Sequence, residues 1–234
     1  MFPTTARGFA ALGTGLVAAV LFGARAISGS GPAGSTLPDP TLDQPVATAK
    51  GEQTIVLGGG CFWGVQAVFQ RVKGVVSATS GYAGGSVASP NYMLVTTGTT
   101  GHAEVVKVVF DTSQVSLGQL LKVFFSVVHD PTQLNRQGPD VGTQYRSAVY
   151  YTTDAQRKIV DGYIAQLTKT KTFREPIVTE VAALKRFYEA EAYHQNYYDL
   201  HPNQPYIVIH DRPKVEALRT QFAQLWKERG PNSH

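Results

Sequence analysis

Cys61, the one cysteine of the 234-residue chain, directly follows the three glycines 58–60. A thiol attacks as the thiolate, and a helix N-terminus lowers its pKa through unpaired N–H groups and the helix dipole. Gly60 allows a sharp turn and a close approach to the backbone, while Phe62 and Trp63 offer an apolar wall. The residues predict either a nucleophilic thiol at a helix start or a small buried hydrophobe behind a glycine turn.

Several other kinds of site are excluded by what surrounds Cys61. One cysteine cannot form an intrachain disulfide or a zinc site built on several cysteines. The turn is not a dinucleotide fingerprint, because its third glycine would fall on Trp63, and no G-K-[ST] follows it as in a P-loop. His102 and Glu104 resemble the H-x-E of zinc deaminases, but the partner cysteines are absent from the sequence. We therefore expect no metal.

Two histidine pairs offer a base and an orienting group for a Cys-His enzyme. His129 precedes Asp130, and His194 lies two residues before Asn196. Nothing in the sequence brings either pair to Cys61. We interpret His194 as a structural residue.

The segment around Cys61 has the pattern of a strand, a tight turn and a helix. Residues 54–57 form a short apolar run, and apolar residues recur at helical spacing after Cys61. Valine-rich or apolar runs predict further strands at 75–80, 104–110, 147–152 and 177–182. Residues 81–90 are predicted to form a loop. Strands and helices interleave, which favours an α/β two-layer sandwich.

Three further helices are predicted from their start signals. Ser116 with Gln119, and Thr153 with Gln156, fit the capping-box pattern. A last helix follows Pro213 and continues as far as Leu225.

The N-terminal part of the chain has the composition of a targeting segment. Arg7 precedes an uncharged, largely apolar run over 8–24, and Ala24-Arg25-Ala26 fits a small-x-small cleavage site. We predict a signal peptide or N-terminal membrane anchor over 1–26, a flexible linker rich in Ser, Gly and Pro over 27–52, and one catalytic domain over 53–234. The protein is expected to be exported, as a periplasmic, secreted or membrane-anchored protein.

The net charge is too small to indicate a nucleic-acid partner. The chain carries +4, and Arg7 and Arg25 in the leader account for two of these charges, so 4 − 2 leaves +2.

Four segments in one order carry a resemblance to a known family. They are GGGCFWG at 58–64, SGYAGG at 80–85, GHAEVV at 101–106 and DVGTQYRS at 140–147, with a weaker fifth, YHQNY, at 193–197. Together they resemble the peptide methionine sulfoxide reductase A family in a single-cysteine form, over roughly residues 54–206. The resemblance implies a ferredoxin-like core with a mixed sheet and flanking helices.

The resemblance also implies a role for each matching residue. Cys61 would attack the sulfoxide sulfur, and Glu104 would be the acid that protonates the oxygen. Glu104 lies on an apolar strand, so its pKa is expected to be raised. Tyr82 and Tyr145 match tyrosines that donate hydrogen bonds to the sulfoxide oxygen. Phe62 and Trp63 match residues that hold the S-methyl group. Asp140 matches a carboxylate that supports the site.

Without the resemblance these residues have ordinary interpretations. Glu104 would be a solvent-facing carboxylate on a strand, and the two tyrosines would be half-buried residues with a bonded hydroxyl. Asp140 would be a turn residue.

The implied activity is reduction of methionine S-sulfoxide, peptide-bound and free, through a Cys61 sulfenic acid, which repairs oxidised proteins. No metal or organic cofactor is implied, and we expect a monomer.

The chain departs from many relatives at two places. It lacks the further cysteines near the C-terminus that resolve the sulfenic acid, so an external thiol must do so: thioredoxin, glutaredoxin or glutathione. Pro139 precedes Asp140 where many relatives have asparagine, which restricts the backbone before the carboxylate.

Two other functions remain open at this point. A thiol peroxidase or thioltransferase would use the same Cys61. A non-catalytic module that binds oxidised proteins would have no need of an acid beside a thiol.

Overall fold

A six-stranded mixed sheet lies at the centre of the molecule, whose computed structural model describes residues 37–229. The strands within that range are β1 (Glu52–Gly58), β2 (Val75–Ala83), β3 (Ala103–Asp111), β4 (Arg136–Gln137), β5 (Asp140–Val141), β6 (Ala148–Tyr151), β7 (Glu180–Ala183) and β8 (Phe187–Glu189). The sheet has the order β7-β6-β1-β3-β2-β8, and β4 and β5 form a separate pair. β6 and β7 are parallel, whereas the other neighbours in the sheet are antiparallel.

Helices and single helical turns connect these strands. The α-helices of the described range are α1 (Phe62–Phe69), α2 (Tyr92–Val95), α3 (Leu117–Val123), α4 (Asp154–Lys169), α5 (Tyr197–Leu200) and α6 (Arg212–Gln221). Short 3-10 helices cover Thr143–Tyr145 and Ala192–His194, and π-helical turns cover Phe124–Val128 and Ile207–Asp211.

The central part of the fold is a split βαβ arrangement. When the short α2 and the β4-β5 pair are left out, the chain order β1-α1-β2-β3-α3-β6 and the spatial order β6-β1-β3-β2 are those of a ferredoxin-like core. The predicted α/β class with a mixed sheet and flanking helices is confirmed.

The main core lies between the sheet and the helices on one of its faces. A smaller cluster, which includes Val56, Val105 and Tyr150, covers the opposite face. β3 is central and covered on both sides, so most of its residues are buried. This explains why its sequence is a nearly continuous valine run and does not alternate between apolar and polar residues.

The local predictions were correct for most elements and differ from the structure in several details, such as the strand predicted at 177–182, which begins at Glu180. Ser116 and Gln119 form the predicted capping box, whereas the Gln156 side chain accepts from Thr152 N–H and leaves the second box half made. β2 extends to Ala83 into the predicted loop, because Tyr82 pairs with Glu104 on one side and Tyr188 on the other. The last helix ends at Gln221, before Leu225.

Residues 37–44, here called the N-terminal strap, lie against α3 and α4. Leu37 is buried in the main core, the Tyr163 hydroxyl donates to Pro38 O at 2.9 Å, and Gly118 N–H donates to Asp43 Oδ1 at 2.9 Å. This docked segment departs from the predicted flexible linker, because one apolar anchor and several hydrogen bonds hold it. The predicted leader over 1–26 and residues 27–36 lie outside the described range. Across residues 37–229, no helix has the length and apolar character needed to cross a membrane.

Candidate active site

Cys61 is the N-cap residue of α1 and directly follows the glycine turn at 58–60. Gly60 has φ +88°, a conformation that favours glycine, and a Cβ there would lie 2.8 Å from the Gln137 side chain. The turn therefore delivers Cys61 directly from β1 to the helix start, as the sequence predicted. Gly60 itself shapes the turn and does not line the pocket described next.

A pocket of about 240 Å³ opens at Cys61. Its walls come from α1, the start of α2, β3, β5, the Thr143–Tyr145 turn and the segment before the Ile207–Asp211 turn. The lining residues are Cys61, Phe62, Trp63, Tyr92, Glu104, Asp140, Tyr145, Gln204 and Tyr206. The structure thus brings together six of the eight residues expected from the sequence and leaves out Tyr82 and Gly60.

The Cys61 thiol is 8% exposed, and burial raises its pKa well above the ordinary value. The charge of Glu104 acts in the same direction, while the backbone N–H of Trp63 acts against it. Burial therefore opposes the lowering of the thiol pKa that the helix start was expected to give. Desolvation outweighs the favourable helix end.

Glu104 is the buried acid of the pocket. It is 2% exposed on β3, and its Oε2 accepts a hydrogen bond from Phe62 N–H at 3.1 Å. Burial raises the pKa of Glu104 to about 8, against the opposing effect of the Phe62 N–H. The carboxyl group therefore holds its proton at neutral pH, as its place on an apolar strand predicted.

Two tyrosines bring hydroxyl groups to the pocket, and one of them was not predicted. The hydroxyls of Tyr92 and Tyr145 make no hydrogen bond to any residue between 37 and 229, and both phenols interact electrostatically with Glu104 and Cys61. Burial raises the pKa of Tyr92 to about 12 and also raises that of Tyr145. Both remain neutral donors at ordinary pH.

Tyr82 is fully buried behind the pocket. Its hydroxyl donates to Glu191 Oε2 at 2.8 Å, and Glu191 Oε1 accepts from the backbone N–H of Tyr92 at 2.8 Å. Its ring packs against Phe62 with 5.8 Å between centroids. Tyr82 therefore supports the Phe62 ring directly and the Tyr92 backbone through Glu191. Its hydroxyl is already bonded to Glu191.

Aromatic rings and one carboxylate form a further part of the pocket lining. The Tyr206 hydroxyl donates to Asp140 Oδ2, and the Tyr206 ring meets Trp63 edge-on with 5.9 Å between centroids. Asp140 thus lies in the pocket as the sequence predicted, although Pro139 precedes it.

Comparison with known proteins identifies the family. The family model of peptide methionine sulfoxide reductase matches residues 53–226. A peptide methionine sulfoxide reductase MsrA 2 of Mesorhizobium japonicum is 53% identical over 181 residues, which cover 77% of this chain and 93% of that protein. This chain belongs to the peptide methionine sulfoxide reductase A family.

Further relatives agree with this family. The MsrA 2 of a Synechocystis species is 47% identical over 198 residues, covering 84% of this chain and 92% of the relative. The solved methionine sulfoxide reductase A of Corynebacterium diphtheriae matches with a TM-score of 0.57 and 38% identity, over 72% of this chain and 85% of the other.

Three residues that line the pocket of this reductase were not predicted from its sequence: Tyr92, Gln204 and Tyr206. A local signal existed for Tyr92 alone, since Asn91 accepts from Leu94 N–H as the N-cap of α2. Nothing local indicates that Gln204 and Tyr206 return to Cys61 from the far end of the chain.

The two histidine pairs have different places in the reductase. His129 Nε2 lies 2.7 Å from Ser147 Oγ, and burial lowers the pKa of His129 to about 4. This histidine packs beneath Gly59, outside the pocket lining. His194 instead contacts Trp63. Among residues 37–229, no group of three or more His, Cys, Asp or Glu side chains is arranged to hold a metal ion.

Proposed function

We propose that this reductase acts on the S epimer of methionine sulfoxide, in oxidised proteins and peptides and as the free amino acid, with Cys61 as its nucleophile. One observation carries the proposal: a single pocket is lined by the Cys61 thiol, the protonated Glu104 and the aromatic rings of Phe62 and Trp63. A methyl sulfoxide has matching parts, an electrophilic sulfur, a basic oxygen and an apolar methyl group.

In the first half-reaction, the Cys61 sulfur attacks the sulfoxide sulfur while Glu104 gives its proton to the sulfoxide oxygen. The sulfur–oxygen bond of the substrate then breaks and the oxygen leaves as hydroxide. Hydroxide attacks the Cys61 sulfur, which breaks the bond between the two sulfur atoms and leaves the oxygen on Cys61 as a sulfenic acid. The thiol proton of Cys61 returns to Glu104. Cys61 is oxidised by two electrons, and the product methionine is released.

Tyr92 and Tyr145 are proposed as the hydrogen-bond donors to the sulfoxide oxygen. Their hydroxyls are unengaged among the described residues, and both phenols interact with Glu104 and Cys61. Donors placed where charge changes in the transition state stabilise that state. The role expected for Tyr82 passes to Tyr92, because the Tyr82 hydroxyl is bonded to Glu191.

The second half-reaction needs thiols from outside the chain, because Cys61 is its one cysteine. A first thiol attacks the sulfenic sulfur and releases water, which leaves a mixed disulfide on Cys61. A second thiol then releases Cys61 and carries away a disulfide. Thioredoxin, glutaredoxin and glutathione are the proposed donors.

Residues 1–26 are proposed to direct export, as a cleaved signal or as a membrane tether. Fractionation of cells that express the full chain, beside a chain without 1–26, tests this. Both chains remaining in the cytoplasm would contradict it.

The reaction is tested with the purified full chain, dithiothreitol and a peptide carrying either epimer of methionine sulfoxide. Consumption of the S epimer alone, lost in Cys61→Ser, is the expected result. If neither epimer is consumed while Cys61 still reacts with iodoacetamide, the proposal fails. Faster turnover of hydrogen peroxide than of sulfoxide would instead identify a thiol peroxidase.

A further inference from the structure

Trp63 is held on three sides. Its indole Nε1–H donates to His194 Nδ1 at 3.1 Å. Its ring is stacked on Tyr197 with 3.7 Å between centroids and 7° between planes, and Tyr206 meets it edge-on. Ring stacking is only weakly directional within the plane of the rings, so the directional hydrogen bond to His194 adds a restraint on the in-plane position of the indole.

The same imidazole touches the other aromatic walls of the pocket. The His194 ring lies 5.0 Å from the Phe62 ring and 4.4 Å from the Tyr92 ring, between centroids. His194 is 2% exposed and does not itself line the pocket. It therefore lies behind three lining residues, outside the reach of a bound substrate.

The hydrogen bond defines the protonation of His194. An indole N–H can donate only, so His194 Nδ1 must accept and the imidazole is the neutral form with its proton on Nε2. His194 Nε2 has no hydrogen-bond partner among residues 37–229. A buried N–H without a partner costs free energy that an apolar side chain would not. The histidine is thus a poor choice for filling space and a suitable one for accepting from Trp63.

We propose that His194 is a positioning residue, which fixes the Trp63 indole and through it the wall that receives the methyl group of the substrate. This inference rests on the proposed function. A wall of fixed position rejects a group one methylene larger than methyl, and such apolar discrimination reaches about 10–200-fold. Without the bond to His194 the indole is expected to shift and admit the larger group.

The experiment compares His194→Asn with His194→Leu in the full chain. The side-chain oxygen of asparagine can take the place of Nδ1 and accept from Trp63, whereas leucine fills similar space and accepts nothing. Methionine S-sulfoxide and ethionine S-sulfoxide serve as substrates. We expect His194→Leu to raise KM for methionine sulfoxide about tenfold with a smaller change in kcat, which corresponds to about 1.4 kcal/mol. Its preference for methyl over ethyl should fall by a similar factor.

His194→Asn should keep both KM and the methyl preference within about twofold of the starting enzyme. Equal losses in the two variants would show a packing role and overturn the proposal, as would an unchanged methyl preference in His194→Leu. Far-UV circular dichroism and the rate of Cys61 alkylation confirm that each variant is folded.

A second readout is independent of turnover. Trp226 is the other tryptophan of the chain, so Trp226→Phe leaves Trp63 as the sole emitter. We expect faster depolarisation of Trp63 fluorescence in His194→Leu than in His194→Asn. Identical depolarisation in both would overturn the proposal. A starting enzyme that reduces no sulfoxide but shows this difference would refute the proposed function alone.

Discussion

Two groups of pocket residues are held in place by different means: the reacting groups Cys61 and Glu104, and the recognition groups Trp63 and Asp140. Cys61 and Glu104 lie on the helix start and the central strand, so backbone hydrogen bonds and the register of β1, β2 and β3 place them. Asp140 and Trp63 are in addition fixed by side-chain hydrogen bonds, since Tyr206 donates to Asp140 and Trp63 donates to His194. The reacting groups are thus placed by the fold itself, while substrate recognition depends on single side-chain contacts.

The sharpest test of this division is Glu104→Gln. Loss of a positioned acid should lower kcat by about 100- to 10,000-fold with little change in KM, because the amide keeps the hydrogen bond from Phe62 N–H. Steady-state kinetics with the S epimer measures it. Glu189→Gln, at an exposed carboxyl on β8, is the matched control and should be neutral. A kcat within fivefold of the starting enzyme would remove Glu104 from the mechanism.

Substitution of the tyrosines tests which hydroxyls donate to the sulfoxide oxygen and which only support the pocket wall. Tyr92→Phe combined with Tyr145→Phe should lower kcat about 100-fold, the usual loss for a donor to developing charge. Tyr82→Phe should lower it less than fivefold, because its hydroxyl is bonded to Glu191. Single-turnover rates of methionine release measure both effects. The reverse order of losses would return Tyr82 to the role first predicted for it.

A smaller effect should appear with pH. The acid form of Glu104 is required and its pKa is about 8, so kcat should fall about tenfold per pH unit above that value. In Glu104→Gln this fall should be absent. A profile of kcat against pH between about pH 6 and about pH 10 checks this prediction.

The same group links pH to stability. Folded Glu104 keeps its proton to about pH 8, whereas the unfolded carboxyl loses it near 4.5. The folded state then binds more protons, so the free energy of unfolding falls as pH rises between these values. The Tm of the starting enzyme relative to Glu104→Gln should therefore decrease over this range. A constant difference would contradict the raised pKa.

The smallest effect is expected for the recognition groups. Tyr206→Phe removes the hydroxyl that donates to Asp140 but keeps the ring against Trp63. KM should rise roughly three- to tenfold, the range of one hydrogen bond, with kcat nearly unchanged. Substrate-saturation curves measure it. A loss in kcat larger than the change in KM would instead place Asp140 among the reacting groups.

The features that the sequence predicts correctly are mostly those that depend on local structure. β1, β3 and α1 were readable because their apolar periodicity reports burial directly. The place of Cys61, Phe62 and Trp63 at a helix start followed from these elements, because it needs only local rules of strands and helix ends. Glu104 was assigned to the site by the family resemblance, since its strand alone favoured a solvent-facing carboxylate.

What was missed depends on contacts distant in sequence. Tyr92 reaches the pocket because Glu191, at the other end of the domain, accepts from its N–H. The raised pKa of Cys61 arises from burial by several segments together. The N-terminal strap was predicted to be flexible from its composition, which does not report that Leu37 finds a place in the core.

The strap also bears on the order in which the chain folds. Thr41 donates its N–H to the Gln166 side chain, a partner 125 residues later. At about 5–20 residues per second, the ribosome delivers that partner roughly 6–25 s after the strap itself. Thr41 therefore lacks this partner until α4 has emerged, whereas Asp43 can bind Gly118 of α3 earlier.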